Sequence, residues 1–216
     1  MSIVMIAEFV IALAAFFIAV VFHEYAHGRV AYALGDPTAR DARRLTLNPL
    51  AHIDPFGTVL LPLVLAALRF AFGVPVPIVG YAKPVPVNPL YFRHPYQGMM
   101  LVALAGPTTN IILAGLGTAL WHSFGGNLPE LLAFFLFYFV VINVILAIFN
   151  LIPVPPLDGS RILLYLLPEG GKRLLFLLEP FGFVLIFLLL WAGLLQYVLW
   201  PIVSWVEGVL FGGRFS

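Results

Sequence analysis

The chain has 216 residues, of which 62% are hydrophobic and 10% charged, with a net charge of +1 and no cysteine. Charged residues make up about a quarter of an ordinary globular domain, so this chain has too little polar surface to face water on all sides, and lipid is its expected solvent. The small net charge gives no footing for a nucleic-acid partner, and the missing cysteines exclude disulfides and thiolate metal ligands, leaving His, Asp and Glu to bind any metal.

A membrane-crossing helix needs roughly 20 mainly apolar residues. Ile3 to Phe22 meets this with Glu8 as its one charged interruption, and the helical pattern continues through His23 to about Leu34, where Gly35, Asp36 and Pro37 stop it. The run has no basic region before it and ends in His-Glu rather than a small-residue cleavage site, so it reads as a retained helix. Asp36 to Pro55 is polar. Phe56 to Phe72 is apolar but short, contains Pro62 and Arg69, and is expected to dip into the bilayer and return, or to lie flat on it. Gly73 to Pro95 is rich in proline, which blocks helix and favours extended backbone. Short strands or extended loops are expected there, with an edge near Tyr81 to Asn88 to which an extended chain could add a strand. Met99 to Trp121, Leu131 to Ile152 and Leu174 to Trp200 are three more long apolar stretches, the last broken near Glu179-Pro180. The expected fold is an all-α polytopic membrane protein, one membrane-embedded domain over 1–216. It has a three-helix catalytic core plus a C-terminal helix, with a re-entrant or interfacial segment and short extended elements between the first and second core helices.

Lys and Arg concentrate on the cytoplasmic side of a membrane protein. Arg29, Arg40, Arg43 and Arg44 follow the first helix, Lys83 and Arg93 precede the next, and Arg161, Lys172 and Arg173 precede the last. A single crossing by Phe56 to Phe72 would put the first two clusters on opposite faces. A segment that returns puts all three on one face, which is then cytoplasmic. The N-terminus, and the loop with His122 and Glu130, then lie outside.

Chemistry concentrates at the end of the first helix, in His23-Glu24-Tyr25-Ala26-His27. Histidines at i and i+4 stand on one helix face, so both imidazoles can reach one tetrahedral ion, and the intervening Glu can hold a water on it. Ionisable side chains on an otherwise apolar membrane helix are costly and mark function. Two histidines leave a catalytic site one protein ligand short. Asp158 is the candidate: it follows the proline run from Asn150 and opens the next helix, where helix capping is its competing role. Depth favours ligation, because His27 precedes Arg29, and Asp158 precedes Arg161, by only a few residues. Asn110, Asn143 and Asn150 lie in or beside apolar helices, where bonding between helices competes with a substrate or oxyanion role; Asn150, then Asn110, have the better claim to substrate. His52, beside Asp54, is either a ligand's partner, a second metal site or an ordinary loop histidine, and His94 and His122 carry no functional reading.

These motifs resemble the site-2 protease family of intramembrane zinc metalloproteases. The resemblance rests on the His23 to His27 motif in the first core helix, Gly106-Pro107-Thr108-Thr109-Asn110 in the second, and Asn150 through Asp158-Gly159 in the third, in that order. It covers the chain from about Phe16 to about Leu167. The polar runs Asn48 to Pro55 and Gly80 to Pro89 are similar to the compact branch that lacks a PDZ or CBS domain. The resemblance implies one zinc ion per chain, held by His23, His27 and Asp158, with Glu24 as catalytic base. It also implies a transmembrane-helix protein as substrate, unwound before cleavage, and an active site near the cytoplasmic face of the cell membrane. The rival reading is a transporter or ion pathway built from the same polar residues, against which the chain shows no repeat symmetry between halves.

Overall fold

The computed structural model describes residues 3–71, 73, 81–124, 127–193 and 195–211. Helix α1 (Ile3–Ala33) carries the first apolar run and the whole of the His23 to His27 turn. It ends where Gly35 takes up a left-handed φ of 102°, with the Asp36 amide turned back onto the Ala31 carbonyl at 3.0 Å, the usual way a helix satisfies its last carbonyls.

The polar run that follows contains α2 (Thr38–Asp41), a 3-10 turn (Pro49–His52) and a π-helical turn (Pro55–Leu60) leading into α3 (Leu61–Ala71). The motif residues here are caps. Asn48, Asp54 and Asn88 each precede a proline and accept backbone N–H groups from the turn that proline opens: Leu50 at 3.1 Å, Phe56 and Gly57 at 3.0 and 2.7 Å, and Leu90 at 3.1 Å. Tyr81 to Asn88 is extended, but no strand forms among the described residues, because Pro84 and Pro86 lack the N–H that a ladder requires. The strand edge expected there is therefore a strap, bound back onto the protein; residues 74–80 of the same proline-rich stretch lie outside the described residues.

Helix α4 (Pro95–Phe124), α5 (Glu130–Asn150) and α1 pack against one another as the core bundle. Helix α6 (Asp158–Leu166) lies against α4, and α7 (Glu169–Leu178), a 3-10 turn (Glu179–Phe181) and α8 (Gly182–Trp191) follow. Four helical stretches among the described residues are long and apolar enough to cross a membrane: Ala7–Ala33, Pro95–Phe124, Glu130–Asn150 and Glu169–Trp191. The last differs from the expected Leu174 to Trp200. It stops at Trp191 because Gly193, with φ 97°, turns the chain, and a second helix, α9 (Trp200–Phe211), returns to put Val203 and Val206 into the core formed by Trp121, Leu136, Phe137 and Val140.

The chain on either side of the stretch from Pro55 to Gly80 meets. The Lys83 amide donates to the His52 carbonyl at 2.9 Å, and the Arg44 guanidinium donates to the Lys83 carbonyl at 2.6 Å. The chain before α3 and the chain after it thus touch, so the first two basic clusters share one face.

Candidate metal centre

The HExxH turn sits on the inner face of α1, against the middle of α4. Its two imidazoles are 8% and 10% exposed, and each is held from behind. His27 Nδ1 donates to the Val102 carbonyl of α4 at 2.7 Å, one residue before the Ala103 carbonyl that Pro107 leaves without an N–H partner. His23 Nδ1 donates to Asn110 Oδ1 at 2.6 Å. The orientation of that amide is fixed by its other end: Asn110 Nδ2 donates to the Ala19 carbonyl at 3.3 Å and to Asn143 Oδ1 at 2.8 Å, while Asn143 Nδ2 donates to the Phe139 carbonyl at 2.7 Å.

This arrangement assigns the tautomers. Both Nδ1 atoms face oxygen acceptors, so both carry hydrogen, and both Nε2 atoms present lone pairs to the space between the helices. They lie 2.9 Å apart. Asp158 Oδ2 completes a triangle at 3.2 Å from His23 Nε2 and 3.3 Å from His27 Nε2, and it is a buried oxygen with no hydrogen-bond partner. Three acceptors crowd one another with no donor among them, an arrangement that a cation would relieve. The triangle fits zinc: bonds of about 2.0–2.1 Å in a tetrahedron set ligand atoms roughly 3.4 Å apart. Among the described residues this is the group of His, Asp and Glu side chains that could hold an ion.

Two glycines make the approach possible. A Cβ on Gly106 would fall 2.5 Å from both His23 Cε1 and His27 Nε2, so α4 can pass this close to the imidazoles only without a side chain. A Cβ on Gly159 would fall 2.2 Å from the Leu151 carbonyl oxygen, so α6 can start against the end of α5 only with glycine there. Asp158 is the first residue of α6, and the cap position before it, Leu157, makes no side-chain cap bond. Its carboxylate is turned to the histidines and does not cap the helix.

Glu24 lies on the neighbouring face of α1 and is half-buried, its Oε2 accepting from the Val85 amide at 2.8 Å. Asn150 is half-buried and donates to Leu146 one turn back at 3.0 Å. Asn110 corrects the sequence expectation: it is fully buried and committed to His23, Ala19 and Asn143, out of a substrate's reach. His52 is 2% exposed and hydrogen-bonded within its loop, with Nε2 on the Thr46 carbonyl at 2.9 Å, and Asp54 is occupied as a cap. The partners that sequence reasoning missed are main-chain groups of Val85 and Val102, which leave no residue-type signal, and Asn143, which reaches the site only through Asn110.

Residues 123–190 match the model of peptidase family M50. The chain is 39% identical over 191 residues to YwhC of Bacillus subtilis (strain 168), covering 84% of this chain and 80% of that one. It is 30% identical over 169 residues to Rip2 of Mycolicibacterium smegmatis, covering 76% of this chain and 60% of that one, and 30% identical over 162 residues to Rip2 of Mycobacterium tuberculosis (strain H37Rv), covering 74% and 59%. All three bear the name "Putative zinc metalloprotease". No solved structure matches the chain.

Proposed function

The chain belongs to peptidase family M50, and from that premise we propose that it is an intramembrane zinc metalloprotease which hydrolyses peptide bonds in or near the transmembrane helices of membrane-protein substrates. The observation that carries this reading is the donorless triangle of His23 Nε2, His27 Nε2 and Asp158 Oδ2, set at the end of a membrane-crossing helix beside a half-buried carboxylate, Glu24. A zinc ion held there supplies a polarised carbonyl and an acidified water.

The chain's own residues do the rest. Asn110 and the Val102 carbonyl keep the Nε2 lone pairs aimed at the ion. Glu24 accepts the proton from the attacking water and passes it to the leaving amine. The imidazoles are buried while Glu24 and Asp158 are half-buried, so water and the scissile carbonyl arrive from the carboxylate side. Asn150 holds a second amide hydrogen beyond its bond to Leu146, available to a substrate carbonyl. The basic face is cytoplasmic on the charge rule, which sets the centre near that side of the cell membrane.

The test is purified protein in detergent, assayed for metal content and for cleavage of a model single-span substrate, beside Glu24→Gln. The expected result is one zinc per chain in both proteins, with cleavage in the wild type and a loss of at least about a hundredfold in the variant, since general-base catalysis contributes 10²–10⁴-fold. Wild-type protein that holds no stoichiometric zinc, or a Glu24→Gln protein that cleaves normally, would sink the proposal.

A further inference from the structure

The strap from Tyr81 to Asn88 is fastened on both sides of Val85. Upstream, the Tyr81 amide donates to the Gly57 carbonyl at 3.0 Å, its carbonyl accepts from Thr58 Oγ1 at 2.8 Å, and the Lys83 amide donates to His52. The buried Arg44 guanidinium reaches over to the Lys83 carbonyl at 2.6 Å and the Pro84 carbonyl at 3.4 Å. Downstream, the Asn88 amide donates to Asp36 Oδ2 at 2.7 Å, and Asp36 is itself fully buried and bonded to Thr38 through its other oxygen. Between these anchors the Val85 side chain is buried over Gly28, where a Cβ would lie 3.2 Å from Val85 Cγ1.

The sequence of the strap matters as much as its anchors. Pro84 and Pro86 flank Val85 and have no N–H, so Val85 carries the only amide hydrogen in that stretch, and a slip of one residue either way would face Glu24 with a bare proline nitrogen. Its partner is Glu24 Oε2 at 2.8 Å, while no hydrogen bond reaches Oε1 among the described residues. A glutamate carboxylate otherwise rotates broadly about its last torsion; one held by an N–H on one oxygen does not.

We propose that the Val85 main-chain amide is a positioning group for Glu24, fixing Oε2 through the proline-flanked strap so that Oε1 is the oxygen presented to the water proton. The inference rests on Glu24 being the base, and it goes beyond that reading by giving the strap a catalytic task other than pairing with substrate. Hydrogen bonds from backbone amides to a carboxylate are among the stronger ones in proteins, and the orientation they fix decides how often a bound base points at its proton.

The test replaces the Val85 peptide link by an ester, using the α-hydroxy analogue of valine, which removes the N–H and keeps the side chain. The same change at Ala82, whose N–H has no hydrogen bond among the described residues, is the control. With a model single-span fusion protein as substrate, the Val85 ester is expected to lower kcat by about tenfold, the order expected for losing one hydrogen bond to a charged group, with KM and zinc content unchanged, while the Ala82 ester behaves as wild type. A readout independent of cleavage is amide exchange at Val85: slow in wild type and in Glu24→Gln, whose amide oxygen still accepts, and fast in Glu24→Ala. A Val85 ester with wild-type kcat, or Val85 exchange indifferent to Glu24→Ala, overturns the inference and leaves the protease reading standing. A wild-type protein that binds zinc but cleaves nothing overturns the protease reading, and this inference with it.

Discussion

His23 and His27 are fixed by different means, and the difference has a measurable consequence. His27 leans on a backbone carbonyl, which no substitution at Val102 removes, whereas His23 leans on a side chain, Asn110, whose own amide is fixed by Asn143. Asn110→Ala therefore frees the His23 ring to rotate and to take the other tautomer, and leaves Asn143 Oδ1 without its donor. Loss of such an outer partner typically costs 10–100-fold in metal affinity, so competition against a chelator should show zinc binding weakened about 10–100-fold in Asn110→Ala. Asn143→Ala should show a smaller loss, because Asn110 keeps its bond to His23. Equal zinc affinity in Asn110→Ala and wild type would refute the role. The convergence of these three side chains was legible in the sequence, since i, i+4 spacing fixes the two histidines on one face and Asp158 precedes Arg161 much as His27 precedes Arg29. Asn110 was visible only as a polar residue in an apolar helix. Its direction was not, because bonding to a neighbour 87 positions away depends on how α1 and α4 are rotated against each other.

At the scale of elements, the centre depends on how α5 hands the chain to α6. Apolar periodicity reveals α5, and the prolines after Asn150 reveal that it must end, but neither says where the next helix starts relative to it. The structure makes that join very tight: Gly159 lies against the Leu151 and Ile152 carbonyls, with a cis Pro155–Pro156 bond between them in the chain. Gly159→Ala would set a methyl group 2.2 Å from one backbone oxygen and 2.5 Å from another. Backbone cannot swing aside as a side-chain end can, so α6 must back away and carry Asp158 out of the triangle. Overpacking of this kind typically costs about 1–3 kcal/mol. The expected outcome is a lowered melting temperature for zinc-free Gly159→Ala together with zinc affinity reduced by more than tenfold. A variant with unchanged zinc affinity would mean that the join does not position the carboxylate. Two further places where pattern reading erred are element joins. Proline spacing read as strand gave a strap, because extended backbone without N–H groups satisfies itself by anchoring at its ends, and the last apolar stretch was cut at Gly193, whose left-handed turn hydropathy does not register.

Over the whole molecule, charge placement and hydrogen bonding agree on one topology. The charge rule alone left two choices for the segment after Asp54, a single crossing or a return, and preferred the return only because it gathers the basic clusters. Geometry adds an independent reason: Arg44 and the Lys83 carbonyl are 2.6 Å apart, a contact that no chain with a bilayer between those residues can make. In the topology proposed above, the four stretches long and apolar enough to cross would run inward from Ala7 to Ala33, out through α4, back through α5, and out again through α7 and α8. On this path the loop between α4 and α5 lies opposite every basic cluster, and the metal centre, one turn from Arg29 and Arg161, lies toward the basic side. The chain has no cysteine, so any cysteine introduced is the sole site for a thiol label. Ala42, Gln97, Gly170 and Asn127 are all exposed, which makes them suitable positions. With a membrane-impermeant maleimide applied to intact cells, Asn127→Cys should label, while Ala42→Cys, Gln97→Cys and Gly170→Cys should label only after the membrane is opened. Labelling of Ala42→Cys and Gln97→Cys from opposite sides would mean that the segment between them crosses once, and the strap, the clasp on Glu24 and the cytoplasmic placement of the centre would all fall together, since each requires both ends of that segment on one face.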